Sequence, residues 1–155
     1  MSCPATGDCT ATGDFGKSEE FVVGESAGTW ADAQAITGLT GEYGSTNELA
    51  CPSAGDCALG GDIYSAMPYP APSPLPYIAS EAGGSWGASD EISGLPPLSY
   101  LGALVTGVSC AAPGDCSIAG QYFPSSGKWV HFVVDETDGT WGPAQLVPGA
   151  AQLQI

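Results

Sequence analysis

The sequence predicts an all-β chain that uses one four-stranded unit three times. Three observations carry this. A C-x5-C pair recurs as Cys3/Cys9, Cys51/Cys57 and Cys110/Cys116, each time with Gly-Asp before the second cysteine. A tryptophan then recurs in fixed surroundings, at Trp30, Trp86 and Trp141. Upstream of it lie Phe21/Tyr77/Phe132, Glu25/Glu81/Glu136 and Gly28/Gly84/Gly139; downstream lie Ile36/Ile92/Val147 and Gly38/Gly94/Gly149. Between these anchors the chain runs in short β-branched or aromatic stretches bounded by Gly, Pro, Asp and Ser. No window offers the long 3.6-residue apolar stripe of a helix. Blocks recurring without gaps at such a period are the mark of a repeat architecture. The expected units are 1–38, 39–94 and 95–155, within a single domain spanning 1–155.

Each unit reads as four strands. The first ends at the first cysteine, as in Asn47-Glu48-Leu49-Ala50 or Val105 to Ser109; the first unit lacks a counterpart before Cys3. A tight Pro/Gly turn follows, because these residues supply the bend. The second strand runs from the second cysteine past Gly13, Gly61 or Gly120 to Phe15, Tyr64 or Tyr122. The third is Phe21-Val22-Val23, Tyr77-Ile78-Ala79 or Phe132-Val133-Val134. Apolar residues on consecutive positions predict that both of its faces are covered. The fourth begins at the tryptophan. Linkers at Leu39 to Gly44 and Leu95 to Gly102 join the units, and a Pro-rich insert, Ser65 to Pro76, separates the second and third strands of the middle unit. That insert reads as extended and solvated.

Charge and cysteines bound the function. Seventeen acids stand against two basic residues, a net charge of −15, and no arginine occurs. Nucleic acid and anionic membranes are bound by Lys/Arg clusters, so neither is an expected partner. Six cysteines in three local pairs predict the disulfides Cys3–Cys9, Cys51–Cys57 and Cys110–Cys116, because residues on either side of a tight hairpin can face each other at bridging distance. A zinc site would want shorter spacings and more histidines than His131 alone. Each bridge is worth about 2.4 kcal/mol on the chain-entropy model, and bridges persist outside a reducing cytosol. The expected location is therefore extracellular or at the cell surface. No leader and no membrane-spanning apolar stretch is visible after Met1, so the expectation is a removed leader or a segment of a longer secreted chain.

Glu136-Thr137-Asp138-Gly139-Thr140-Trp141, with its counterparts Glu81 to Trp86 and Glu25 to Trp30, resembles a degenerate Asp-box, the turn of sialidase-type β-propeller blades. Together with the CPSAGDC-type turns (Cys51 to Cys57), these elements resemble the cysteine-bearing propeller repeats of secreted actinobacterial proteins. The resemblance implies three four-stranded propeller blades, too few for a ring, that close only with a second chain or as part of a longer one. The alternative is a β-trefoil closing as a monomer. A sialidase-type site would imply an arginine cluster, and the chain has no arginine.

Glu25/Glu81/Glu136 and Asp8/Asp56/Asp115 read as turn acceptors for backbone amides; the Asp set also makes calcium a candidate ion, and no other cofactor is expected. His131, the one histidine, lies on a strand with no nucleophile elbow beside it. Candidate ligand-binding residues are the aromatics about the second-to-third-strand connections: Tyr64, Tyr69, Tyr77, Tyr122 and Trp129. Such side chains suit carbohydrate or protein recognition. The functional expectation is a binding or structural module with no catalytic activity of its own, associating with itself or with further blades. The alternative is a glycoside-hydrolase-like enzyme using loop carboxylates.

Overall fold

A computed structural model describes residues 1–15, 19–38, 42–65, 74–99, 101–125 and 127–150. Among these there is no helix of α type, and every ladder is antiparallel. The first sheet holds β1 (Ser2–Ala5), β2 (Asp8–Phe15), β3 (Glu19–Ser26), β4 (Thr29–Trp30) and β5 (Gln34–Ala35). The second holds β6 (Glu42–Ser53), β7 (Asp56–Ser65), β8 (Leu75–Ala82), β9 (Ser85–Trp86) and β10 (Asp90–Glu91). The third holds β11 (Ala103–Ala112), β12 (Asp115–Tyr122), β13 (Val130–Thr137), β14 (Thr140–Trp141) and β15 (Gln145–Leu146). In each sheet the last two pieces are one fourth strand, interrupted after the tryptophan, and both pair with the third strand. The result is three four-stranded meanders, the predicted class. No sheet closes into a barrel, and no described ladder joins strands of different units.

The sheets stack face to face in chain order. β6 packs across β1, β2 and β3, and β11 packs along β6, β7 and β8. Two apolar layers result. Between the first and second sheets lie Val22, Ile36, Leu59, Ile63, Tyr77 and Ala79, with Trp86 against them. Between the second and third lie Ile78, Ile92, Val105, Ile118, Phe132 and Val134, with Trp141 against them. Alternation along β8 explains the split: Tyr77 and Ala79 point to one layer and Ile78 to the other.

The aromatic ring at the start of each third strand fits because its cross-strand neighbour is glycine. Gly13 pairs with Phe21, Gly61 with Tyr77 and Gly120 with Phe132. A Cβ at Gly61 would lie 2.6 Å from the Tyr77 ring. The glycine in this otherwise β-forming strand is thus a socket for the ring opposite.

Several boundaries differ from expectation. The first unit's β1 holds only Ser2 ahead of Cys3 and continues two residues beyond it, and β6 and β11 extend well beyond the four or five residues expected of them. At their cysteine ends they continue as hairpin arms, Cys51–Ser53 and Cys110–Ala112, whose side chains are small or polar, so hydrophobic runs underestimate them. β6 begins at Glu42 and shortens the first linker. Coverage of both faces of the third strand holds for β8, where Pro76 to Ala79 are all buried, but not for β13, where His131 and Asp135 are exposed and Val133 is half-buried, alternating with the buried Phe132, Val134 and Glu136. Only the middle sheet is sandwiched between two others. Most of the Pro-rich insert, residues 66–73, lies outside the described residues.

Candidate functional site

The two ends of the sheet stack are built differently. At one end stand the disulfides, Cys3–Cys9, Cys51–Cys57 and Cys110–Cys116, with Cα–Cα distances of 4.1, 4.0 and 3.9 Å. Each joins the arms of a first hairpin, and the hairpin between the third and fourth strands lies beside it. The second hairpin turns on two residues with positive φ: Ala27-Gly28, Gly83-Gly84 and Asp138-Gly139. Two left-handed residues give the turn twist that suits a two-residue hairpin. The two hairpins are clamped identically in all three sheets. Gly28, Gly84 and Gly139 donate their amides to the Gly7, Gly55 and Gly114 carbonyls at 2.8, 2.8 and 2.9 Å. The Asp8, Asp56 and Asp115 carboxylates accept the Ala27, Gly83 and Asp138 amides at 3.1, 3.0 and 3.4 Å. The Gly-Asp before each second cysteine therefore fastens one hairpin to the next. The Gly83 amide, with the Ser53 hydroxyl, holds the Asp56 carboxyl below its ordinary value.

Glu25, Glu81 and Glu136 do not accept the turn amides, contrary to expectation; that place is taken by the aspartates. Each glutamate pairs across the strand with its tryptophan, Trp30, Trp86 or Trp141. Glu136 is buried and accepts the Ser80 hydroxyl of the neighbouring sheet at 3.1 Å, while the Trp141 indole donates to the same hydroxyl at 2.8 Å. Burial pushes the Glu136 and Glu81 carboxyls up; the Ser80 bond opposes this for Glu136, and Asp56 adds to it for Glu81. One Glu81 oxygen, Oε2, is buried with no hydrogen-bond partner among the described residues.

Two further carboxylates lie deep between sheets. Glu20 accepts the Thr46 hydroxyl at 2.9 Å and the Thr46 amide as well, and the same hydroxyl lies 2.9 Å from the Tyr77 phenol. Asp62 accepts the Val105 amide at 3.1 Å and the Asn47 side-chain amide at 2.6 Å. Both are raised above their ordinary values, chiefly by burial. Thr46 and Val105 each begin an irregularity in the ladder of a first strand. A bulge leaves an amide without its ladder partner, and a carboxylate from the preceding sheet satisfies it in both cases. Glu20 does so from β3 and Asp62 from β7. These side chains are structural acceptors, and no sequence pattern marks them because the two come from different strands.

At the opposite end lie the connections between second and third strands and the linkers between sheets. Tyr64 is 39% exposed there. Burial of its remaining part, with Asp62 nearby, raises its phenol. Trp129 is half-buried and meets Phe123 edge to face, ring centroids 5.2 Å apart. Two other candidates are core residues instead. Tyr77 is fully buried between the first and second sheets, with its hydroxyl engaged by Thr46, and Tyr122 is 4% exposed between the second and third. Both flank connections in the sequence, which suggests a surface place, yet each falls on the buried phase of its strand. Tyr69 lies outside the described residues. The structure thus leaves Tyr64 and Trp129 at the connection end, and it adds Phe123, which sequence reasoning missed.

His131 is exposed on β13 opposite Gln121. Among the described residues no three His, Cys, Asp or Glu side chains converge as a metal site, and no helix is long and apolar enough to cross a membrane. No family model matches the chain, and neither the curated proteins nor the solved structures contain a match to it.

Proposed function

We propose that the chain is a secreted, disulfide-stapled module of β-propeller blades whose role is binding or structural support rather than catalysis, with its recognition surface at the connection end. The difference between the two ends carries this reading. The disulfide end spends its turn residues on the same clamp three times, with Asp8, Asp56 and Asp115 as acceptors. The connection end varies between units and presents Tyr64 and the Phe123–Trp129 pair. Aromatic faces with a polar tip suit a sugar ring or an extended peptide, where stacking and apolar contact supply the affinity. Three disulfides support an oxidising location such as the extracellular space.

The glycoside-hydrolase-like alternative needs two carboxylates facing one bond. The described residues 93–99, 101–102, 123–125 and 127–129 at the connection end include neither Asp nor Glu, and the buried Glu20, Asp62 and Glu136 are occupied by hydrogen bonds between sheets. A glycan array and a panel of model glycosides separate the two readings. Binding without hydrolysis, weakened by Tyr64→Ala or Trp129→Ala with folding retained, supports the module. Hydrolysis abolished by exchange of one Asp or Glu would replace it with the enzyme.

A further inference from the structure

We propose that the outer faces of the first and third sheets are the two halves of one joint, and that a second copy of this chain completes it, closing six sheets head to tail. The molecule already builds this joint twice. On its giving side, Val22 and Ile36 of the first sheet are buried against the second, and Ile78 and Ile92 of the second are buried against the third. The third sheet carries Val133 and Val147 at these places, both only half-buried. On its receiving side, Tyr77 and Trp86 are covered by the first sheet, and Phe132 and Trp141 by the second. The first sheet carries Phe21, half-buried, and Trp30, 44% exposed.

The backbone repeats the correspondence. Ser89 N–H donates to the Thr37 carbonyl across the first joint at 2.9 Å, and Ala144 N–H to the Ser93 carbonyl across the second at 2.8 Å. The matching groups of the end sheets are the Ala33 amide and the Pro148 carbonyl. Gly38 and Gly94 abut the following sheet so closely that an added Cβ would lie 2.6 Å from Ser89 Oγ and 2.8 Å from Pro143 Cβ, respectively. Gly149 takes the same left-handed conformation, with φ of 79°, yet has nothing within 4 Å of that point. Side chains, backbone groups and a close-approach glycine are therefore all in place at the two ends, each without its mate among the described residues.

The number of sheets selects the occupant. Closed rings of four-stranded blades hold about 4–8. One copy supplies three and falls short, two supply six, and three would exceed the range. A joint between unlike faces closes when the rotation permits, and two copies related by a two-fold axis make it twice. The joint stands apart from any ligand at the connection end. It brings Glu25 towards Asp135, which occupies the position of Ser80, and each copy carries −15, so association is measured at an ionic strength of at least about 0.15 M to screen the repulsion.

Light scattering and sedimentation of the oxidised full chain across the micromolar range test this. The expected species has twice the 15.5 kDa chain mass, and its assembly shifts Trp30 emission to the blue. Val133→Asp puts an unpaired carboxylate into the joint and weakens association by about 100-fold or more. Ala33→Pro removes the donor to the Pro148 carbonyl and weakens it by about tenfold. Both positions are partly or wholly exposed in the single chain, and an unchanged circular dichroism spectrum confirms that each variant folds. A mass of one chain at every concentration, an open series of larger masses, or a dimer that neither substitution weakens overturns the proposal.

Discussion

The joint between the second and third sheets is better satisfied than the joint between the first and second, although both are made from the same positions. In the better joint Ser80 supplies one hydroxyl that receives the Trp141 indole and is itself given to Glu136. In the other, Gly24 stands where Ser80 stands, and the buried Glu81 Oε2 goes unpartnered. The cleft lined by Gly24, Glu81 and Trp86 has a volume of about 380 Å³, against about 250 Å³ for the cleft lined by Ser80, Glu81 and Glu136. Where Gly24 stands in place of a serine, a buried carboxylate oxygen is left short of a bond, and the cleft on that side is the larger. The comparison teaches that the stack is held by a shared apolar pattern, while its polar fit is set locally, one residue at a time.

Truncating the ring at the first position of the third strand should give the largest effect. Phe132→Ala removes a fully buried ring and should cost about 3–5 kcal/mol. Phe21→Ala, at the same position on the open face, should cost about 1 kcal/mol in the single chain, since part of that ring already meets water. Urea unfolding under non-reducing conditions, at a concentration where the chain is monomeric, reads both, and equal losses there would mean that the first sheet is covered within one chain. Next in size, Ser80→Gly converts the better joint into the likeness of the poorer one. It strips partners from Trp141 and Glu136 and should cost about 1–3 kcal/mol. The reverse change, Gly24→Ser, should stabilise by about 0.5–1.5 kcal/mol by giving Glu81 a donor. Room exists for it, because a Cβ at Gly24 meets nothing within 4 Å. A loss of stability in Gly24→Ser would show that the gap is not a defect in the fit.

The smallest effects concern pH. Glu20, Asp62, Glu81 and Glu136 are all raised, chiefly by burial. An acid with a raised folded value binds its proton more readily when folded. Its penalty is absent below the ordinary value, 4.5 for glutamate or 3.8 for aspartate, and is complete above the raised one. The melting temperature should therefore rise as pH is lowered from neutrality towards the ordinary carboxyl range. Asp56 runs the other way: its depressed value contributes stability above 3.8 that is lost on further acidification. Glu81→Gln should flatten the neutral part of the profile, melting above the parent at pH 7 and level with it near pH 4. A profile that Glu81→Gln leaves unchanged would remove Glu81 from the comparison.

Much of this architecture is legible in the amino-acid sequence. The C-x5-C spacing gave the bridges, because a tight hairpin fixes which cysteines face each other. The shared glycine-and-aromatic positions gave the sheets, because Gly61 and Tyr77 are one cross-strand pair written far apart in the chain. What could not be read was which face each strand turns to which neighbour. Tyr77 and Tyr122 look like connection residues until the phase of their strands is known, and then they are core. Glu20 and Asp62 were invisible because the need they meet, a bulge amide on the next sheet, exists only once the sheets are stacked. The candidate surface suffered most: Tyr64 and Trp129 stayed at the connection end, and Phe123 was recognised only from its contact with Trp129.

The difference between the two joints comes down to Glu81, and its carboxyl can be titrated directly by carbon-detected NMR in the parent and in Gly24→Ser. The account predicts a Glu81 value above 4.5 in the parent, falling when the serine hydroxyl arrives, while Glu136 stays where it was. A Glu81 that titrates at its ordinary value in both proteins would contradict it.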